Sequence, residues 1–372
     1  MRPAGRRERP AGVKGDRPQM QTVSAPEKFI RDYDGPQIRI MEVCGTHTHA
    51  ICRLGIRGLL PENVSLISGP GCPVCVTPAG YIDQAVELAL SRGVTVCTFG
   101  DLMRVPGSEM SLAQARARGA KTRIVYAPDD AVAFAAEHPD EPVVFLSVGF
   151  ETTTPASCLA VRHAAREDVR NFAILTANKT MENAYRLLAP SADAFLYPGH
   201  VSAITGTGIY RLLLREGISG AVAGFASSEI LLAIATILRQ HRLGKPFAVN
   251  CYPRVVTEEG MPAAKALMAE MMEPCDAAWR GLGVIRASGL RLRPAYEGYD
   301  ARKKYALHVS DGRDHPLCRC GDVLSGRCSP DACSLFGKGC TPAHPVGACM
   351  VSSEGACSAY YQYGGTAVWK KS

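Results

Sequence analysis

Seven of the chain's fifteen cysteines fall between Cys318 and Cys357, in a stretch rich in glycine and proline with little continuous apolar sequence. A segment of that kind is poorly equipped to build an ordinary hydrophobic core, so something covalent or metallic is expected to hold it together: disulfides, zinc or an iron–sulfur cluster. No apolar run near the N-terminus has the length of a signal peptide, and Arg6-Arg7 lacks the apolar segment that follows a twin-arginine export signal. No run of about eighteen apolar residues, the length of a membrane span, occurs. The expectation is a soluble, cytoplasmic protein with reduced thiols, in which a cysteine cluster is a metal or redox site.

At 372 residues and 47% hydrophobic content, the chain can bury sizeable cores and divides on length into two or three domains. The net charge of +7 is partly local. Arg2, Arg6, Arg7, Arg9, Lys14 and Arg17 stand against Glu8 and Asp16 in a Pro- and Gly-rich stretch without apolar period, which reads as a disordered basic tail over residues 1–27. The remainder is nearly balanced and carries no helix-turn-helix, RNA-recognition or zinc-finger spacing, so no nucleic-acid partner is expected.

From about Asp32 to Met272, short β-branched runs alternate with longer amphipathic stretches, the punctuation of an α/β fold. Strands are expected at Ile38-Val43, Val64-Ser68, Val94-Thr98, Arg123-Ala127, Val143-Val148, Phe172-Thr176, Ala194-Tyr197 and Gly220-Gly224. Helices are expected at Tyr81-Arg92, Ser111-Arg118, Ala156-Glu167, Met181-Leu188 and Ser228-Arg239. Pro and acidic residues near 140 divide the pattern into two parallel-sheet units, 28–140 and 141–273, followed by a cysteine-rich region, 274–372.

The polar oddities sit just beyond predicted strands, where open parallel sheets gather ligands. Cys44-Gly-Thr-His-Thr-His49 follows the first strand, Gly69-Pro-Gly-Cys-Pro-Val-Cys75 the second, Glu151-Thr-Thr-Thr154 the fifth and Gly199-His-Val-Ser202 the seventh. Cys72 and Cys75 form a Cys-X-X-Cys pair able to cycle between dithiol and disulfide or to share a metal. Cys44 lies on a strand-to-helix turn whose helix N-terminus favours a thiolate, with His47 as the nearer proton-handling partner and His49 as a capping or packing residue. Glu151 ends a strongly apolar strand, where a carboxyl needs a partner or a proton-handling role. Cys44, Cys72 and Cys75 make a soft donor set suited to iron, zinc or cuprous copper, and no phosphate loop or dinucleotide fingerprint is present. The C-terminal spacing, Cys318-X-Cys320, Cys328, Cys333, Cys340, Cys349 and Cys357, lacks paired zinc knuckles. It favours a [4Fe–4S] cluster with a redox pair, leaving zinc and plain reduced thiols as alternatives.

Several long motifs in order resemble the HypD family of hydrogenase maturation factors: Met41-Glu-Val-Cys-Gly-Thr-His-Thr-His-Ala50, Gly69-Pro-Gly-Cys-Pro-Val-Cys-Val-Thr-Pro78, Thr98-Phe-Gly-Asp-Leu-Met-Arg-Val-Pro-Gly107, Gly149-Phe-Glu-Thr-Thr153 and Cys349-Met-Val-Ser-Ser-Glu-Gly-Ala-Cys357. The resemblance runs from about Lys28 to about Gly364. It implies two similar α/β domains plus a third that holds a [4Fe–4S] cluster, and assembly of the Fe(CN)2CO group of [NiFe] hydrogenase with the small chaperone HypC and the cyanide donor HypE. On that resemblance Cys44 binds the nascent iron, Cys72 and Cys75 are the thiol pair beside it, and His47 and Glu151 line the same cleft. By likeness to ferredoxin:thioredoxin reductase, Cys318, Cys333, Cys340 and Cys357 are implied as cluster ligands and Cys320 with Cys349 as the redox pair, with Cys328 spare. A freestanding iron–sulfur disulfide reductase and a zinc-bound interaction protein are the rival readings. The sequence departs from the family at Ala177-Asn-Lys-Thr-Met-Glu-Asn183, where a proline-rich apolar segment is expected, and at Phe225-Ala-Ser-Ser-Glu229.

Overall fold

In a computed structural model of the chain, residues 25–310 and 312–364 are described. The basic tail expected over 1–27 lies outside them except for its last three residues. Eleven strands occur among the described residues: β1 (Ile38–Glu42), β2 (Val64–Ser68), β3 (Thr95–Thr98), β4 (Thr122–Ile124), β5 (Val143–Gly149), β6 (Phe172–Asn178), β7 (Ala194–Pro198), β8 (Gly220–Ala223), β9 (Ala248–Asn250), β10 (Met272–Trp279) and β11 (Gly283–Leu292).

Nine of them make two wholly parallel sheets, ordered β2-β1-β7-β8-β9 and β4-β3-β5-β6. The central strands show why. Every residue of Val143–Gly149 is buried, the pattern of a strand covered on both faces, which crossover helices provide. The two α/β units and the cysteine-rich C-terminal region expected from the sequence are present.

The expected boundary near residue 140 is not. β3 precedes it and β5 follows it, yet they are hydrogen-bonded neighbours, with Thr95 opposite Val143. The chain begins the first sheet with β1 and β2, builds the whole second sheet, and returns with β7 to pair with β1. Pro139 and its acidic neighbours end the helix Pro128–Glu137 and mark a surface turn; a local breaker signal says nothing about which sheet the next strand joins.

Both sheets reverse direction at one point, between β1 and β7 in the first and between β3 and β5 in the second. At such a switch point successive crossovers depart to opposite sides and leave a crevice at the carboxyl ends of the strands. The C-terminal region packs against this end. Its final helix, Ala356–Tyr363, lies on the helix Gly45–Arg53, where Arg57 sits over the Tyr360 ring at 5.3 Å and the Tyr363 hydroxyl meets His49 Nε2 at 3.1 Å. One continuous core joins Met41 and Val43 to Cys72, Cys75, Trp279, Cys349 and Cys357. No helix among the described residues is long and apolar enough to cross a membrane.

Candidate metal and thiol centre

Cys44 is the N-cap of the helix Gly45–Arg53 and follows β1 directly at the switch point. Gly45 N–H donates to the Gly71 carbonyl at 3.1 Å, tying this turn to the segment that carries Cys72. A Cβ on Gly71 would collide with the Cys44 backbone, so glycine alone permits the approach. Two residues before Cys44, the buried carboxyl of Glu42 pairs with Arg57 and accepts from Ser68 Oγ at 2.9 Å, anchoring the end of the strand beneath the turn.

The Cys44 thiol is fully enclosed, and burial pushes its pKa up to about 12. The helix N-terminus is thus outweighed by desolvation, and the metal-free sulfur is a thiol rather than the expected thiolate. Its imidazole partner also differs from expectation. His47 turns away, and its Nε2–H donates to the Gly224 carbonyl at 2.9 Å. Burial lowers the His47 pKa to about 4, keeping the ring neutral, and Nδ1 has no partner. His200, after β7, instead brings Nε2 to 3.9 Å from Cys44 Sγ. The spacing of His47 on the helix suggested convergence, but position four of a helical turn faces the core. The pairing of β1 with β7 delivers His200.

Phe225 escaped the sequence reading of the site. It lies between the two imidazoles, with its ring centroid 4.8 Å from that of His47 and 5.1 Å from that of His200. Glu229 holds its backbone by accepting from Phe225 N–H at 2.9 Å, so the departure Phe225-Ala-Ser-Ser-Glu229 is a built part of the site. Glu354 was also missed. It accepts from Thr46 Oγ1 at 2.7 Å and so pins the Cys44 turn to the cysteine-rich region. Neither residue type announces such a contact in sequence, because both partners are remote.

Cys72 and Cys75 lie in one tight turn, with Cys75 N–H directed at Cys72 Sγ at 3.3 Å. Both are buried. Beyond them the thiols continue: Cys75 is hydrogen-bonded to Cys349 as well as to Cys72, and Cys349 in turn to Cys320 and Cys357. The contact with Cys320, followed by those with its other neighbours and burial, raises the Cys349 pKa. Burial does the same to Cys75. A row of neutral, mutually touching thiols is the outcome.

Cys318, Cys320, Cys333, Cys340 and Cys357 line a single apolar pocket with Phe336. A Cβ on Gly347 would stand 2.6 Å from the Sγ atoms of both Cys318 and Cys320, so glycine keeps that wall open. Among the described residues no three His, Cys, Asp or Glu side chains form a site for a single ion. Sulfur donors spread around a pocket, and numbering one more than a cubane needs, fit a multi-iron cluster by type and number better than they fit a tetrahedral zinc ion. Cys328 is half-buried beside this group and does not line the pocket.

Glu151 belongs to the other sheet. It follows β5, accepts from Met181 N–H at 2.9 Å through Oε1, and leaves Oε2 buried without a partner. Burial raises its pKa to about 7. Nearby, Tyr210 bonds Ser202 Oγ at 2.6 Å and stacks on Tyr197 at 4.0 Å, forming a tyrosine wall between Glu151 and the His200 helix.

A family model described as HypD, hydrogenase formation hypA family, matches residues 21–364. The chain is 45% identical over 338 residues to the hydrogenase maturation factor HypD of Rhodobacter capsulatus, covering 88% of this chain and 90% of that one. It is 46% identical over 334 residues to HypD of Escherichia coli K12, covering 88% and 89%. With HypD2 of Bradyrhizobium diazoefficiens the identity is 42% over 352 residues, covering 91% and 93%.

Proposed function

The chain belongs to the HypD family of hydrogenase maturation factors, and from that premise we propose that it is the scaffold and redox component on which the Fe(CN)2CO group of [NiFe] hydrogenase is assembled. One observation carries this reading: the unbroken row of thiols from the C-terminal pocket through Cys349 to Cys75 and Cys72, ending on the segment bonded to the Cys44 turn. In this reading Cys44 holds iron as cargo, with a second thiolate from the N-terminal cysteine of a HypC-type chaperone. Cyanide arrives from a HypE-type donor as a protein-bound thiocyanate, and the finished group passes to the hydrogenase large subunit.

Iron requires a thiolate, whereas the free Cys44 sulfur carries its proton. His200 Nε2 is positioned to take that proton as the metal binds. The dry surroundings then strengthen the sulfur–iron interaction, and electron-rich sulfur favours back-donation into carbonyl and cyanide. Release of cyanide breaks the donor's S–C bond and needs two electrons. Cys72 and Cys75 supply them: the two thiols become a disulfide, the donor recovers its thiol, and one cyanide ion and one proton are released. Cys349 is placed to attack the Cys75 sulfur, so that exchange returns Cys72 and Cys75 to the dithiol and leaves Cys320 and Cys349 oxidised. Cys318, Cys333, Cys340 and Cys357 would hold a [4Fe–4S] group, whose chemistry is one-electron reduction of that last pair.

Infrared spectroscopy of the complex co-purified anaerobically with its small chaperone tests the reading. Iron-bound cyanide and carbonyl bands are expected, and Cys44→Ala should abolish them. Bands of full intensity in that variant would refute the iron assignment. Turnover of a disulfide substrate without the chaperone, in a protein lacking the bands, would favour the freestanding reductase.

A further inference from the structure

A second cleft, apart from the cysteine centre, opens between β6, the β10–β11 hairpin and the helix Ala79–Ser91. Its volume of about 430 Å³ falls within the usual range for small-molecule sites. Lys179 follows β6 and is only 3% exposed. Its backbone is fixed, with N–H donating to the Gly149 carbonyl at 2.9 Å and a bridge to Gly289. Its ammonium meets only the Trp279 ring, 5.7 Å from the centroid. No hydrogen bond or ion pair to it occurs among the described residues.

Arg302 shares the wall. It directs Nε to Gln84 Oε1 at 3.2 Å, and Nη1 to the Thr176 carbonyl and hydroxyl at 2.8 and 3.2 Å. All three acceptors are neutral. Other charges on the wall are matched: Arg291 pairs with Glu273 and Lys303 with Glu297. Asp276 and Asp300 accept backbone N–H groups, from Ala287 and Arg302, at 2.9 Å each. Neither carboxylate forms an ion pair with Lys179 or with the Arg302 side chain among the described residues. Two cations therefore face an open cleft without a counter-charge of their own.

An unmatched buried ammonium is expensive, and burial together with Arg302 lowers the Lys179 pKa to about 7. An apolar residue on the face of Trp279 would avoid that penalty, and this is the segment where an apolar sequence was expected. A ligand of opposite charge is the partner that the arrangement lacks.

We propose that this cleft binds a small molecule bearing a carboxylate or phosphate group, with Lys179 and Arg302 as the counter-charges that hold it. The proposal is independent of the cysteine chemistry. Trp279 is one of two tryptophans, the other being Trp369, so in a Trp369→Phe protein its fluorescence reports on the cleft. That protein would be titrated with inorganic phosphate and with acetate, against sodium chloride at matched ionic strength, with calorimetry in parallel. A saturable response to phosphate or acetate is expected, weakened about tenfold or more in Lys179→Met and retained in Lys179→Arg. Response to one anion alone identifies the group that the ligand carries. Lys179→Met should melt higher than its parent at pH 6, because an unmatched buried charge is gone, which separates lost binding from unfolding. Absence of any saturable response to both anions, or an undiminished response in Lys179→Met, overturns the proposal.

Discussion

His200 Nε2 stands 3.9 Å from Cys44 Sγ, although 156 residues separate them, because β1 and β7 are sheet neighbours and the chain leaves both at the same end. His200→Gln should therefore slow the appearance of iron-bound cyanide and carbonyl bands by about tenfold or more without lowering the melting temperature. His47→Leu should do the reverse. It leaves the Gly224 carbonyl unpaired and is expected to destabilise the fold by about 1–3 kcal/mol. Equal loss of iron bands in both variants would contradict the assignment.

Glu151 gives a pH signature. The folded carboxyl keeps its proton to about pH 7, against an ordinary value of 4.5. Between those values the native state binds more protons than the unfolded state, so stability falls as pH rises; the penalty is absent below 4.5 and complete above 7. Glu151→Gln removes it. The variant's stability relative to the parent should grow from near zero at pH 4.5 to roughly 3 kcal/mol at pH 8, read from urea midpoints. A difference that does not change with pH would show that Glu151 is ionised in the fold.

Cys349 and Gly347 separate two roles in one short segment. Cys349→Ser should leave iron and sulfide content intact while preventing chemical reduction from reaching the Cys72–Cys75 pair, as followed by thiol alkylation and mass mapping. Gly347→Ala places a methyl group against Cys318 and Cys320 and should instead lower iron and sulfide content, with circular dichroism unchanged. Identical phenotypes would argue against separate ligand and redox sets.

Beneath the site, Glu42 and Arg57 form a buried pair. Arg57→Met strands the carboxyl and should cost about 3–5 kcal/mol, whereas the double variant Glu42→Gln with Arg57→Met should recover most of that loss. Denaturant midpoints of the single and double variants measure the difference. A double variant no more stable than the single one would mean that Arg57 acts through packing on Tyr360 rather than through the pair.

The strands that carry the site were legible because their apolar runs are continuous and bounded by Gly, Pro or Thr. β9 has three residues, and β10 alternates buried with exposed positions, so neither produces such a run. Helix Pro128–Glu137 was passed over although Pro128 opens it and Asp129 and Asp130 fill its first turn. Cysteine positions were equally legible, since few other residues leave so specific a trace in a reducing compartment. The contacts of Phe225 and Glu354 were not, because a phenyl ring or a carboxylate is common anywhere and only its remote neighbour gives it a role.

By itself the sequence determined the α/β class, the soft-donor chemistry and the family, all of which are set by local patterns: hydrophobic period, turn residues and thiol spacing. Only the tertiary structure decided that residues on either side of 140 share a sheet, that His200 rather than His47 faces Cys44, and that Lys179 looks into a cleft without a counter-charge. Those outcomes depend on which strands pair across long intervals of chain. Strand pairing is governed by the summed packing of whole layers, which no short stretch of residues encodes.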